Sequence, residues 1–121
     1  MSKRILIVDD SASVRQVAGM TLTRAGYEVV EAVDGEDGVN KLSGKLHLII
    51  SDVNMPRLDG IGFLKAVKAH TGYKFTPVIM LTTEAGEDMK NKGRAAGAKA
   101  WITKPFQPQT LLDAVSKLVL A

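Results

Sequence analysis

The stretch Arg4-Ile5-Leu6-Ile7-Val8-Asp9-Asp10 is an unbroken apolar run that stops abruptly on two carboxylates. A run that does not alternate polar with apolar residues suits a strand buried on both faces, as in a parallel sheet covered by helices. Similar runs recur at Leu46–Ile50 and Val78–Leu81, with weaker ones at Tyr27–Ala32 and Ala100–Ile102. Between them the apolar residues take helical spacing: Val14, Val17, Ala18, Leu22 and Ala25; Val39 and Leu42; Ile61, Leu64 and Val67; then Leu111, Leu112, Val115, Leu118 and Val119. Strand and helix alternate about five times, the pattern of an α/β fold with a parallel sheet, here expected as one domain over residues 1–121.

Punctuation supports these boundaries. Gly26 sits where the first helix should stop, Asp34 can cap the second, and Pro108 suits the first turn of the last. The segment Glu84–Gly97 is the weakest helix, because Gly86, Gly93 and Gly97 each cost about 1 kcal/mol relative to alanine inside a helix. It reads either as a poor surface helix or as an element able to shift between two arrangements.

Composition removes several classes of function. With 121 residues, 45% hydrophobic and 24% charged, the chain is that of a globular protein rather than a disordered or fibrous one. The lack of cysteine excludes disulfides, thiolate metal sites and a cysteine nucleophile. No apolar run is long enough to span a bilayer and no signal-peptide pattern opens the chain, so a cytoplasmic location is expected. The net charge of +3 comes from singly scattered bases without aromatic interleaving, which argues against nucleic-acid binding. Its distribution is uneven: residues 1–60 hold seven Lys/Arg against nine Asp/Glu, residues 61–121 nine against four. An acidic site from the first half and a basic partner-docking face from the second would produce that asymmetry, as would chance on solvated faces.

In an open parallel sheet ligands bind at the carboxyl ends of the strands. There the chain places Asp9-Asp10, Ser51-Asp52, Thr82-Thr83 and Thr103-Lys104-Pro105. Two carboxylates about 4 Å apart repel by about 4 kcal/mol at an effective dielectric of about 20, so three together protonate or recruit a cation. With oxygen ligands alone and room for water and phosphate oxygens, Mg²⁺ is favoured over a dedicated Ca²⁺ cage. Asp52 is then the candidate nucleophile for an acyl phosphate, Asp9 and Asp10 the candidate metal ligands, and Thr82 and Lys104 partners for phosphoryl oxygens. Singly, each has a bland reading as a cap, a strand end or a solvated lysine. Four at corresponding strand ends make a stronger signal.

These residues, with Met55-Pro56, Asp59-Gly60 and Lys104-Pro105-Phe106, resemble the receiver domains of bacterial two-component response regulators over the whole chain. The resemblance implies a flavodoxin-like five-stranded parallel sheet in the order 2-1-3-4-5. It also implies phosphorylation of Asp52 by a CheA-like histidine kinase, with Mg²⁺ held by Asp9, Asp10, Asp52 and the backbone carbonyl of Asn54. It makes Lys104–Pro105 a cis-peptide candidate, and Asn54 and Glu84 resemble positions that tune phosphoryl lifetime. The family couples the threonine to an aromatic residue, usually tyrosine or phenylalanine. That position is Trp101 here, which either switches with Thr82 or is fixed at the sheet edge or against the weak helix. His47, His70 and the methionines Met20, Met55, Met80 and Met89 read as flanking or packing residues.

The expectation is therefore a stand-alone, CheY-like, monomeric signalling module and not an enzyme. It would switch its 84–121 face toward a protein target such as the flagellar motor switch, with a phosphatase as a further partner. A phosphorelay intermediate or phosphate sink is the rival role. A Mg²⁺-dependent phosphohydrolase is disfavoured because the acids are adjacent and followed by Ser11, and little chain is left for a substrate cap. A flavin or nucleotide binder lacks the phosphate loop after Val8.

Overall fold

The computed structural model describes residues 3–55, 57–83 and 87–119. Pro56, Glu84 and the side chain of Met89 lie outside the described residues. Five strands alternate with five helices: β1 (Arg4–Val8), α1 (Ala12–Arg24), β2 (Glu28–Ala32), α2 (Gly35–Asn40), β3 (Leu48–Asp52), α3 (Gly60–Ala69), β4 (Val78–Thr82), α4 (Glu87–Ala95), β5 (Ala100–Thr103) and α5 (Pro108–Leu118). All strand pairings are parallel, in the order β2-β1-β3-β4-β5.

Side chains alternate across the sheet and build two apolar layers. Ile5, Ile7, Ile50, Ile79 and Leu81 meet Ala18 and Leu22 of α1 and Leu111 and Val115 of α5 on one face. On the other, Leu6, Val8, Ile49 and Met80 meet Phe63, Leu64 and Val67 of α3. Burial on both faces is why the strands read as continuous apolar runs. Among the described residues no helix is long and apolar enough to cross a membrane.

The helix starts are set by side chains. Ser11 Oγ accepts from the Val14 amide, Asp34 Oδ1 from the Asp37 amide and Asp59 Oδ1 from the Gly62 amide, satisfying amides that a helix leaves unpaired. Helix α5 instead carries Pro108 in its first turn. Gly26 follows the Ala25 C-cap with φ of 96°, the left-handed conformation that glycine adopts without strain.

Several expectations shift in detail. β3 begins two residues later than the apolar run and includes Ser51 and Asp52, paired with Met80 and Leu81. Leu46 is buried in the approach to it. Val17, Val39 and Met20 are partly exposed at the surface rather than buried in the core. Each sits on a helix whose inward stripe is supplied by smaller or later residues, Ala18 and Leu22 in α1 and glycines in α2.

At the edge of the sheet, the Lys41 ammonium donates to the outward carbonyl of Glu31 in β2 at 3.0 Å. At the amino end of β3, His47 is buried and its Nδ1 accepts from the Arg4 amide at 2.9 Å. Burial, reinforced by Lys3 and Lys45, lowers its pKa against the opposing pull of that hydrogen bond. The unfolded chain therefore takes up a proton first as the pH falls below about 6.5. Stability contributed by neutral His47 is complete above that pH and is lost on acidification toward the lowered folded value. Urea unfolding at pH 7 and pH 5 should show this loss in the wild type, and His47→Gln should flatten it.

Candidate functional site

The sheet reverses its winding direction between β1 and β3, and the crevice outside their carboxyl ends is where such folds bind ligands. The first residue past β1 is Asp9, and β3 ends on Asp52. Both are buried, whereas Asp10 is exposed at the rim. Each of the three offers a carboxylate oxygen, and these atoms lie within 4.8 Å of one another.

Lys104 follows β5 and enters from the opposite side. Its Nζ lies 2.8 Å from Asp9 Oδ2 and 3.1 Å from Asp52 Oδ1. Burial alone would lower its pKa, but the two carboxylates outweigh burial and raise it, so the ammonium form is firmly held. Its backbone is fixed by the amide of Lys104 donating to Thr82 O at 2.7 Å, and the Lys104–Pro105 peptide is cis. Thr82, the last residue of β4, is fully buried.

The carboxylates are unequally compensated. Asp9 Oδ1 accepts from the Ser11 amide and Asp52 Oδ1 from the Val53 amide, both at 2.9 Å. Asp9 Oδ2 is buried and, among the described residues, has no partner of hydrogen-bond geometry. The Lys104 contact at 2.8 Å is an ion pair by distance alone. Burial first, and then the Asp9 charge, push the Asp52 carboxyl above its usual range despite Lys104 and the Val53 amide. Three carboxylates thus converge where one ammonium pairs with two of them, and an all-oxygen, electron-rich rim of this kind fits a hard divalent cation.

The remaining expected residues fall into two groups. Asn54 lies exposed two residues past β3, where it lines a concavity with Ile61 and Lys65 of α3 and Lys92 of α4. Trp101 is half-buried in β5 and packs with the α3 layer, away from the carboxylates. A Cβ placed on Gly93 of α4 would fall 2.4 Å from Cζ3 of the indole, so this glycine makes the space in which the indole meets α4.

Two arginines were not anticipated. Arg15 donates to the Asp9 carbonyl at 2.6 Å and approaches Glu31 at 3.3 Å, bracing the end of β1 against β2. Its position six residues after Asp9, on the first turns of α1, was the available signal. Arg57 pairs with buried Asp34 and with Glu36, clamping the loop after β3 onto the start of α2. The Asp37 amide, against a burial penalty and with the help of Arg57, holds the Asp34 carboxyl below its usual range. Arg57 has φ of 65°, which nothing in the sequence signalled.

Comparison with known proteins agrees with this geometry. The family model described as "Response regulator receiver domain" matches residues 5–116. Chemotaxis protein CheY1 of Helicobacter pylori is 40% identical over 113 residues, covering 91% of each chain. Protein PilG of Pseudomonas aeruginosa is 37% identical over 113 residues, covering 93% of this chain and 84% of that protein. Among solved structures, chemotaxis protein CheY4 of Vibrio cholerae superimposes with a TM-score of 0.94 at 46% identity, covering 98% of this chain and all of that one. A sheet in the order 2-1-3-4-5, an acidic crevice at its switch point and relatives that match nearly end to end lead to one assignment: this chain belongs to the response regulator receiver domain family, whose role is signalling, and is CheY-like.

Proposed function

We propose that the protein is a phosphoacceptor switch: Asp52 accepts a phosphoryl group from a CheA-like histidine kinase, and the face built from residues 84–121 then binds a protein target. The observation that carries this reading is the juxtaposition of Asp9, Asp10 and Asp52 with the Lys104 ammonium between two of them.

In the transfer, an Asp52 carboxylate oxygen attacks phosphorus. The P–O bond forms as the P–N bond to the donor histidine breaks, and the electron pair leaves with the imidazole nitrogen. Lys104, already held as an ammonium beside Asp52, pairs with a phosphoryl oxygen, and Thr82 at the end of the neighbouring strand presents its hydroxyl to another. Asp9, Asp10, Asp52 and the Asn54 carbonyl are the groups that would hold Mg²⁺, which supplies charge neutralisation for the incoming phosphoryl oxygens. Arg15 and the Val53 amide keep Asp9 and Asp52 in place.

Occupancy of the site is read out through α4 and β5. Trp101 lies against α4, whose own sequence contributes little to holding it in place. A change at Thr82 reaches the indole along the β4–β5 pairing, where Thr82 faces Thr103 and Met80 faces Trp101. The likeness to the chemotaxis proteins CheY1 and CheY4 supports a chemotaxis role; within that reading the target is the flagellar motor switch and the protein acts as a cytoplasmic monomer. The same Asp52 chemistry would serve a phosphorelay intermediate.

Incubation with Mg²⁺ and acetyl phosphate should add one phosphoryl group by intact mass, removable by hydroxylamine as expected of an acyl phosphate. Trp101 emission should change in parallel. Uptake of a hydroxylamine-resistant phosphate would place the group on a hydroxyl and remove Asp52 from its role.

A further inference from the structure

The edge of the sheet opposite the acidic crevice is of the other sign and carries an uncovered aromatic. Phe75, in the loop before β4, is 81% exposed. It forms one wall of a concavity of about 200 Å³ whose floor includes Leu46, Tyr73 and Thr76. The sequence around it is free of acid: no Asp or Glu occurs between residues 60 and 83, nor between 38 and 51. Lys45 borders the concavity, the Lys74 ammonium lies 5.2 Å from the centre of the Phe75 ring, and Lys99 opens β5 at the same edge.

Two sets of bases gather at this edge. Lys3 and Lys45 both act on His47, and Lys99 acts on Lys68, whose ammonium is held on the carbonyls of the Phe75 loop. Lysines at helix C-termini are ordinarily explained by the helix dipole. That account fits Lys68, in the last turn of α3, but not Lys45, Lys74 and Lys99, which lie in loops beyond the helix ends. It also gives no reason for an uncovered phenylalanine.

The concavity is preformed. The Tyr73 hydroxyl donates to the Gly44 carbonyl at 2.7 Å, and Lys68 Nζ donates to the carbonyls of Thr76 and Lys74 at 2.7 and 3.2 Å. Two loops are thereby tied to each other and to α3. Its size is below the roughly 300–1,000 Å³ of small-molecule sites and suits a single side chain. A rigid pocket for one side chain, flanked by Lys45 and Lys74, is matched by a peptide segment better than by a fluid lipid surface.

We propose that this amino-terminal edge of the sheet docks an acidic segment of a partner protein, one apolar side chain of which seats beside Phe75 while its carboxylates face Lys45, Lys74 and Lys99. The site lies across the sheet from Asp52 and does not depend on phosphorylation.

The test is a ¹⁵N-amide titration with a synthetic peptide of glutamates bearing one central leucine. Saturable shifts centred on residues 43–47, 72–76 and 99 are expected, weakened at least tenfold by Phe75→Ala and by the double change Lys45→Glu/Lys74→Glu, and lost when the peptide's glutamates are replaced by lysine. Because Phe75 and both lysines are exposed, these variants keep the fold, which the unperturbed spectrum verifies. Absence of saturable shifts, shifts centred on α4 and β5, or indifference to Phe75→Ala would each overturn the proposal. So would Phe75-dependent binding to phosphatidylglycerol vesicles without a peptide response, which would make the edge a lipid contact. Concentration-dependent self-association abolished by Phe75→Ala would overturn it in favour of a second copy of the chain.

Discussion

Asp52→Asn is expected to take up no phosphoryl group from acetyl phosphate and, in the absence of divalent cations, to unfold at a higher temperature than the wild type. The first result follows from chemistry: an amide oxygen is a poor nucleophile, and Asp9, the other buried carboxylate, is taken up by the Ser11 amide and the Lys104 ammonium. The second follows from electrostatics. The Asp52 carboxyl is held above its ordinary pKa by burial and by Asp9, so its ionised form is less favourable in the folded protein than in the unfolded chain. That penalty is present at neutral pH and vanishes as the pH falls below the unfolded value. An isosteric amide removes it while leaving Lys104 paired with Asp9. Saturating Mg²⁺ should narrow the difference by stabilising the wild type more than the variant. Thermal unfolding followed by circular dichroism, with and without Mg²⁺ and paired with intact mass, reads both effects. A variant less stable than the wild type without metal would mean that attraction to Lys104 outweighs burial and the repulsion from Asp9.

Gly60→Ala should be among the most damaging single substitutions in the chain. A Cβ there would stand 2.0 Å from the Asp52 carbonyl oxygen and 2.7 Å from the Val53 Cα. Both are backbone atoms of the segment that presents the candidate nucleophile, and the Gly60 amide also donates to Val53 O at 2.8 Å. Neither side can yield without moving β3 or the start of α3. A loss of about 3 kcal/mol or more is expected, a fall in Tm of more than about 10 °C for a domain of this size. Gly19→Ala provides the contrast. It lies within α1, and its new Cβ would meet nothing closer than 3.7 Å. Relief of the helix penalty should there raise stability by up to about 1 kcal/mol. Urea denaturation of the two variants gives the comparison, and equal effects would refute the steric account of Gly60.

The course of the chain was legible where the physics was simple. Strands buried on both faces announce themselves, so β1 and β4 were readable almost to the residue. β3 was displaced because hydropathy cannot count Ser51 and Asp52 as strand residues, although both pair with β4. A polar residue spent on chemistry is invisible to a pattern of burial. The cluster itself could be inferred because acids at equivalent strand ends must converge in a parallel sheet. The Arg57 contacts could not be inferred, since they join the loop after β3 to the start of α2, an approach that depends on the finished packing, whereas Arg15 carried a signal in its spacing from Asp9 but not in its reach to β2. For Trp101, packing against the weak helix was one of the readings the sequence left open, but the residue it meets there was not legible. Its neighbour Gly93 looked in the sequence like a weakness of α4, while in the fold it is the space the indole needs.

An open sheet has two borders, and each is a row of unsatisfied amides and carbonyls on which a stray strand can grow. On the β2 border the Lys41 ammonium already occupies the Glu31 carbonyl, and the β5 border is only four residues long, with the exposed Lys99 before it. Strand addition at either side would have to displace or bury a charged group. The lysines thus stand as end-stops against fibril-like growth on a sheet that stays open.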